Sequence, residues 1–229
     1  MMILDLVAQN DWKRPIYFAI TVGDENYMGL EKYFRLDGLA YRLIPIPSGD
    51  RQDGQYGIID SKILYDNLMN KFKWGNVSNP KVYIDENNMR MLSNFRNNFA
   101  RLAEQLINEN KVDSAVKVLD RCFKVLPVEQ VPVNVWALPL IEQYYRAKQT
   151  AKANTLTQKL YESISEEISY YFRLKGDRAK NIDSEKQMCL YTLNQLARIT
   201  QANKQNEMST KIQNTLQGYV QQLSPNEQQ

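Results

Sequence analysis

The first candidate for ligand chemistry is a short aromatic and basic cluster near the start of the chain. Trp12, Lys13 and Arg14 lie between Asp11 and Pro15, directly before an apolar segment. A guanidinium recognises phosphate or carboxylate through a planar fork of N–H donors, so Arg14 could hold such a group beside Trp12. The alternative is that Trp12 anchors packing and the charged residues form a solvated turn. We favour this alternative, because one short cluster is a weak motif.

A second aromatic and basic cluster follows later in the chain. Lys71, Phe72, Lys73 and Trp74 alternate bases with rings, a combination that also holds single-stranded nucleic acid. The cluster stands at the predicted end of a helix, where lysine complements the helix dipole and Gly75 supplies the C-cap. The helix end is a sufficient explanation of the cluster, and Trp74 remains a candidate for ligand contact.

The absence of histidine excludes much enzymatic chemistry for this chain. There is no Ser-His-Asp or Cys-His nucleophile pair and no histidine metal site. Cys122 and Cys189 are too far apart for a C-x-x-C motif and are interpreted as small core residues. The carboxylates at 85–86 fit a helix N-terminus, and those at 166–167 do not face each other on a helix. We expect no catalytic residue, no metal and no cofactor.

The charge balance argues against a nucleic-acid partner. Lys and Arg number 29 against 26 Asp and Glu, a net charge of +3, whereas nucleic-acid-binding domains carry a concentrated basic face. No run in the sequence approaches the roughly 20 apolar residues that span a bilayer. The start of the chain lacks the pattern of a signal peptide. The chain as given is therefore expected to be soluble.

The first 86 residues predict a small α/β segment. Residues 15–21 are apolar, β-branched and aromatic, which predicts a buried strand. Residues 41–46 predict a second strand, at the sheet edge because of its prolines. One or two helical turns are expected at 30–34. Asp60 is expected to cap a helix that ends near Gly75.

From residue 87 onward helical periodicity dominates, and one segment has the spacing of a tetratricopeptide repeat. In that 34-residue hairpin, alternating large and small residues let two helices pack closely. The matching positions are Phe99, Leu102, Ala103, Leu106, Ala115, Leu119, Cys122 and Pro127. A second unit repeats at Leu140, Tyr144 and Ala153, and a third keeps only its periodicity, as a terminal capping hairpin does. An irregular helical bundle is the alternative.

The inner helices of such repeats line a concave surface that commonly binds peptides. The repeat spacing predicts two sets of residues on that surface, and a solvated face without a ligand is the alternative. The candidates are Asn97, Arg101 and Glu104 in the first unit and Glu142, Tyr145 and Arg146 in the second.

The joint between the two parts is not a Gly/Ser-rich flexible linker. It contains the apolar triplet Val82, Tyr83 and Ile84, which would be unfavourable to leave in water. The α/β segment is also too short for a large core of its own. We therefore expect it to pack on the first hairpin through this triplet and Trp74.

Several separate motifs, at 10–19, 38–43, 65–69, 71–76 and 94–103, are spread over residues 3–175. They resemble the C-terminal soluble, tetratricopeptide-like region of an uncharacterised bacterial family of multi-pass membrane proteins. The transmembrane part of that family is similar to protein O-mannosyltransferases, which are membrane glycosyltransferases. The catalytic acid of such enzymes lies on a membrane loop that has no counterpart here, so the resemblance implies no catalytic residue.

These observations lead to one expected architecture and one expected function. The fold is expected to be mainly α, a tetratricopeptide-like α-solenoid of about three hairpins (87–223) after a small α/β segment (1–86), with a frayed tail (224–229). The leading function is a non-catalytic module that binds a protein or peptide in the solenoid groove. The alternative is a carbohydrate-contacting or substrate-positioning domain of a membrane glycosyltransferase. A third, weaker option is a free-standing enzyme that uses only Asp, Glu, Lys and Tyr. The resemblance implies that such a glycosyltransferase part could belong to the same polypeptide, and it implies a location on the extracytoplasmic, periplasmic side of the inner membrane.

Overall fold

The computed structural model describes residues 2–48, 55–179 and 181–223, so the tail expected at 224–229 lies outside the described residues. The chain divides into two compact units, Met1–Gly75 and Asn76–Gln229. This division lies before the boundary expected at residue 86, because the intervening segment is bonded into the second unit. The amide nitrogen of Gln130 donates to the carbonyl oxygens of Asn79 at 2.8 Å and Val82 at 3.1 Å.

The N-terminal unit contains a three-stranded antiparallel sheet and two short helices. The strand order is β1-β3-β2. The strand expected at the edge is therefore central, and the one expected to be buried is an edge strand. The elements are α1 (Met2–Asn10), β1 (Tyr17–Ala19), β2 (Phe34–Leu36), β3 (Ala40–Leu43) and α2 (Ser61–Asp66), which continues into a π-helical turn at Asn67–Lys71.

The strand β2 was not predicted. It begins inside the segment expected to be helical, where Glu31–Tyr33 form a short 3-10 turn. Three residues are too few to show an alternating pattern in the sequence, yet Phe34 and Leu36 are fully buried. The predicted cap of α2 is confirmed, since the side chain of Asp60 accepts hydrogen bonds from the backbone nitrogens of Lys62 and Ile63.

Aromatic side chains fill the core of the N-terminal unit. Phe34 stacks on Tyr41 with ring centroids 5.3 Å apart, and Tyr27 meets Phe34 edge to face at 5.1 Å. Phe18 of β1 joins them from the neighbouring edge strand. Edge-to-face and offset aromatic pairs add stability beyond the area they bury. One face of the sheet is thereby committed to the core.

The second unit consists of three helical hairpins in chain order. Each helix packs on the next within its hairpin, and α3 also packs on α5, while α5 also packs on α7. Asp85 caps the first helix, as expected, and accepts from the backbone nitrogen of Asn88 at 3.0 Å. The helices are α3 (Glu86–Asn108), α4 (Val112–Val125), α5 (Leu138–Arg146), α6 (Thr150–Arg173), α7 (Asp183–Ala202) and α8 (Asn206–Leu223).

The three hairpins use the same turn. Each contains one residue in the left-handed conformation, at Asn110, Lys148 and Lys204. In each, the following backbone nitrogen donates to the carbonyl oxygen five residues earlier, as Lys111 does to Leu106. This is the Schellman arrangement that ends many helices. One turn geometry repeated three times supports a repeated hairpin, while the tetratricopeptide assignment stays a prediction.

The predicted burial of the small residues in the first hairpin is confirmed. Ala103 and Ala115 have no exposed surface, and Cys122 is equally buried. The large residues of the pattern, Phe99 and Leu119, are also fully buried. The spacing therefore identified which faces of α3 and α4 pack together.

This packing makes Ala115→Leu a test of the register. A leucine at a fully buried alanine position overpacks the contact between two helices, so we expect the free energy of unfolding to fall by about 1–3 kcal/mol. Urea unfolding followed by circular dichroism measures it. Ala151→Leu, at an exposed alanine of α6, is the matched control and should change stability little. Equal effects of the two substitutions would contradict the register.

The expectation for the joint is wrong in one respect. Tyr83 is 89% exposed, and its neighbours Val82 and Ile84 are only half-buried. The triplet is therefore not buried as a block. Its backbone is held instead, because the carbonyl of Val82 accepts the hydrogen bond from Gln130.

Candidate functional site

The predicted inner surface of the hairpins is only partly exposed. Arg101 is 4% exposed and Tyr145 is 6% exposed, so the expectation that both face solvent is wrong. The reason is that α3 packs on α4 and α5 at once, which buries most of its circumference. Tyr145 is turned inward, and its hydroxyl donates to the side-chain oxygen of Asn154 at 2.6 Å. Neither side chain is available to a peptide.

The structure brings two other predicted residues together. Arg146 lies 3.6 Å from a carboxylate oxygen of Glu104, across the α3–α5 contact. Its guanidinium also donates to the side-chain oxygens of Gln143 at 3.0 Å and Asn108 at 2.7 Å. Glu142 is exposed, and Asn97 is half-buried. Arg146 and Glu104 therefore join two hairpins, which is a structural role. Of the six predicted residues, few remain available to a ligand.

The N-terminal candidates lie on the surface of their unit. Trp12 is 52% exposed, in a turn where it and Asp11 adopt left-handed backbone conformations. Arg14 is exposed and lines a shallow cavity of about 470 Å³, together with Leu6 and Gln9 of α1. Trp74 is half-buried. Trp12 is therefore not the packing anchor that we favoured from the sequence.

A different site emerges between the outer helices of the first two hairpins. An open cleft of about 310 Å³, here called the α4–α6 cleft, has aromatic and aliphatic walls. Phe123 of α4 stacks on Tyr144 of α5 with ring centroids 6.3 Å apart. The residues that line the α4–α6 cleft are Phe123, Pro127, Val128, Glu129, Tyr144, Lys152, Thr155, Leu156 and Lys159.

Charged pairs border this apolar cleft. Lys152 donates to both carboxylate oxygens of Asp120, at 2.8 and 2.7 Å, and Lys159 lies 3.5 Å from Glu129. The hydroxyl of Tyr144 donates to the same Asp120 at 3.0 Å. Burial, reinforced by the Asp120 carboxylate, raises the pKa of Tyr144 far above its usual value. The phenol therefore stays a neutral hydrogen-bond donor, and the cleft combines an apolar floor with a polar rim.

A buried arginine holds the loop that forms one lip of the cleft. Arg96 of α3 has no exposed surface. Its guanidinium donates to the carbonyl oxygens of Pro132 at 2.8 Å and Leu126 at 3.3 Å, and to that of Val131. It also lies 5.6 Å from the centre of the Phe123 ring. Burial lowers the pKa of Arg96, yet a guanidinium remains charged at any ordinary pH. The lip is thus tied to the core through three backbone carbonyls.

The thiols are not set up as nucleophiles. Cys122 and Cys189 are both free and buried. Burial raises the pKa of each to about 12, and the thiol rather than the reactive thiolate then dominates near neutral pH. Within the described residues, no cluster of carboxylates and thiols has the grouping that holds a metal ion.

Sequence reasoning missed the α4–α6 cleft for a physical reason. Asp120, Tyr144 and Lys152 lie on three different helices. Their meeting depends on how the hairpins stack, which the repeat spacing does not reveal. Cys122 and Tyr144 were both recognised as repeat positions, but as core residues. The residue beside Cys122, Phe123, forms the cleft wall.

The comparisons with known proteins cover only the start of the chain. A family model described as TMEM260-associated domain 2 matches residues 1–63, which include the whole sheet. No curated protein and no solved structure matches the chain. Among the described helices, none combines the length and the apolar character needed to cross a bilayer.

Proposed function

We propose that this chain is a non-catalytic module that binds a protein or peptide through the α4–α6 cleft. The observation that supports the proposal is the cleft itself, with Phe123, Tyr144 and Leu156 below a rim of lysine–carboxylate pairs. Protein interfaces have this anatomy, with aromatic and aliphatic residues at the centre and charged residues around them. The volume of about 310 Å³ is at the lower end of ligand pockets.

The cleft replaces the inner surface as the proposed binding position. Arg101 and Tyr145 are buried there, and Arg146 pairs with Glu104. In the cleft, by contrast, Thr155, Lys152 and Lys159 are exposed around a partly open apolar floor. The surface ion pairs stabilise the fold little, because exposed pairs contribute about 0–1 kcal/mol. They are therefore free to rearrange with a partner's charges at small energetic loss.

The test is a selection from a random peptide library displayed on phage, with the full chain as bait. Selected peptides are then measured by fluorescence anisotropy against wild type, Thr155→Arg and Thr210→Arg. Both threonines are exposed helical residues, but only Thr155 lines the cleft. We expect Thr155→Arg to weaken binding by about tenfold or more, the result of losing roughly 1.4 kcal/mol. Thr210→Arg should bind like wild type.

Two outcomes would overturn the proposal. Repeated selections that return no binding peptide would contradict a peptide-binding module. Peptides that bind the wild type and both variants equally would show that the cleft is not the binding position. Circular dichroism of the variants separates these results from a loss of fold.

A second candidate is a carbohydrate-contacting or substrate-positioning domain of a membrane glycosyltransferase. The exposed Trp12 beside Arg14 favours it, since sugars stack on exposed aromatic rings. The family resemblance also supports it, whereas the TMEM260-associated domain 2 match over residues 1–63 supports only the soluble region of a membrane protein. In this proposal the chain would lie on the extracytoplasmic side of the membrane. It would itself not turn over an activated sugar donor.

Methyl α-mannoside distinguishes this candidate from the first. If the chain is a carbohydrate-contacting domain, the sugar should change the tryptophan fluorescence of the full chain saturably, and Trp12→Ala should abolish the change. An equal response in Trp12→Ala, or no response in the wild type, would contradict it.

A further inference from the structure

The second face of the N-terminal sheet carries a cationic and aromatic row that the proposed function does not use. In the sheet register, Tyr17 of β1 pairs with Arg42 of β3, and Arg42 pairs in turn with Arg35 of β2. Directly paired residues point to the same side of a sheet. The three side chains therefore form a row with one residue on each strand. This row lies on the side of the sheet opposite the buried Phe18, Phe34 and Leu43.

The two arginines of the row differ in how they are neutralised. Arg35 is held by Asp37, with its Nε and Nη2 donating to the two carboxylate oxygens at 2.6 and 3.0 Å. This bidentate pair is largely buried, and Asp60 adds further negative charge near Arg35. Asp37 is thus engaged with Arg35 and not with the arginine paired across the strands.

Arg42 has no such partner. Within the described part of the chain, its guanidinium makes no hydrogen bond and no ion pair, and it lies over the ring of Tyr17 at 6.0 Å from the centroid. It is half-buried, while Tyr17 is 49% exposed. Like charges directly opposite each other destabilise a sheet. The half-buried guanidinium of Arg42 therefore lies opposite another arginine, which is unfavourable, and its hydrogen-bond donors remain unused.

We propose that Arg42 is the centre of an anion site for a phosphate-bearing ligand, on the second face of this sheet beside the exposed Tyr17. A guanidinium presents parallel N–H donors that match two oxygens of a phosphate. The ring of Tyr17 orients Arg42 from one side by cation–π attraction and leaves its edge free for the anion. Arg35 is neutralised by Asp37, so Arg42 supplies the positive charge of the site. A phosphate group of this kind is carried either by a soluble compound or by a lipid headgroup, and vesicles distinguish the two sources.

Amide chemical shifts of the full, ¹⁵N-labelled chain test the site with inorganic phosphate as the probe. Phosphate should shift the amide signals of β1 and β3 saturably. Sodium chloride at the same ionic strength should not, because screening alone acts on all exposed charges. The wild-type titration is decisive by itself. No saturable shift on these strands would overturn the proposal.

Two substitutions and a matched control assign the effect to one side chain. Arg42→Gln should weaken phosphate binding by about tenfold or more, since it removes a charge-assisted pair. Arg42→Lys keeps the charge but not the fork and should bind at an intermediate level. Arg198→Gln removes the same charge from an exposed position on α7 and should bind like wild type. Wild-type affinity in Arg42→Gln would overturn the assignment.

Sedimentation with vesicles distinguishes the two sources of the phosphate. One set contains phosphatidylcholine with phosphatidic acid, and the other contains phosphatidylcholine alone. Sedimentation of wild type, but not of Arg42→Gln, with the first set alone identifies a lipid headgroup. Saturable shifts with inorganic phosphate, without vesicle binding, identify a soluble phosphate compound. If wild type and Arg42→Gln sediment equally, Arg42 is not the site.

Discussion

Replacing Arg96 with alanine is expected to lower the free energy of unfolding of the helical unit by about 3–5 kcal/mol. The side chain is fully buried and donates to the carbonyl oxygens of Leu126, Val131 and Pro132. Alanine leaves these acceptors without their donor and opens a cavity where the guanidinium was. An unsatisfied buried polar group destabilises by about 1–3 kcal/mol, and a cavity adds to that loss.

One opposing effect needs its own variant. Burial of a charge is itself unfavourable, so part of the loss is offset when the guanidinium is removed. Arg96→Met fills most of the volume without the charge and isolates the contribution of the carbonyls. We expect Arg96→Met to destabilise by about 1–3 kcal/mol, less than alanine does.

Urea unfolding followed by helical circular dichroism measures both variants, because α3–α8 dominate that signal. Arg198→Ala, at an exposed arginine of α7, is the control and should stay within about 0.5 kcal/mol of wild type. Arg96→Ala within that same range would show that the loop does not depend on the arginine. Because the loop forms a lip of the α4–α6 cleft, we also expect Arg96→Met to weaken the binding of any peptide that occupies the cleft.

Replacing Gly38 with alanine is expected to destabilise the N-terminal unit by about 2–5 kcal/mol. Gly38 lies between β2 and β3 with a φ of +133°, a conformation that side chains rarely adopt. A Cβ atom there would lie 2.4 and 2.5 Å from two ring atoms of Phe72. Backbone strain and a steric clash therefore add, and the clash falls beside the turn that sets the sheet register.

Gly29→Ala separates the two contributions. Gly29 also has a positive φ, +77°, but no atom lies within 4 Å of the position of its Cβ. It should therefore lose only the strain energy, about 1–2 kcal/mol. Amide hydrogen exchange of β1–β3, measured by NMR, follows the unfolding of this unit, because buried tyrosines lie in the helical unit as well. If Gly38→Ala is no more destabilising than Gly29→Ala, the predicted clash with Phe72 contributes nothing to the loss of stability.

The candidate site residues fall into two groups, those that a local sequence pattern reveals and those that only the packing of helices brings together. Trp12 and Arg14 are close in sequence and both are exposed, although the local pattern had favoured Trp12 as a packing anchor. The α4–α6 cleft joins Phe123, Tyr144 and Lys152 from three helices, and no local pattern relates them. Arg101 and Tyr145 show the converse. Repeat spacing predicted their exposure, but the folded chain buries both.

Local signals were enough for the features that depend on neighbours in the chain. The hydrophobic period identified the helical region, the large and small residues identified Ala103 and Ala115 as buried, and Asp60 and Asp85 marked helix starts. These features follow from the residues themselves, because side-chain period and capping act within a few positions.

Tertiary structure decided the features that depend on distant pairing. The sequence could not place β3 at the centre of the sheet, because strand order depends on which edges pair and three-residue strands such as β2 carry almost no pattern. Nor could it show that Arg96 is buried, since an arginine is normally expected at the surface. Three carbonyls from a loop some thirty residues away accept hydrogen bonds from its Nη1 and Nη2, and only the folded chain brings those groups together.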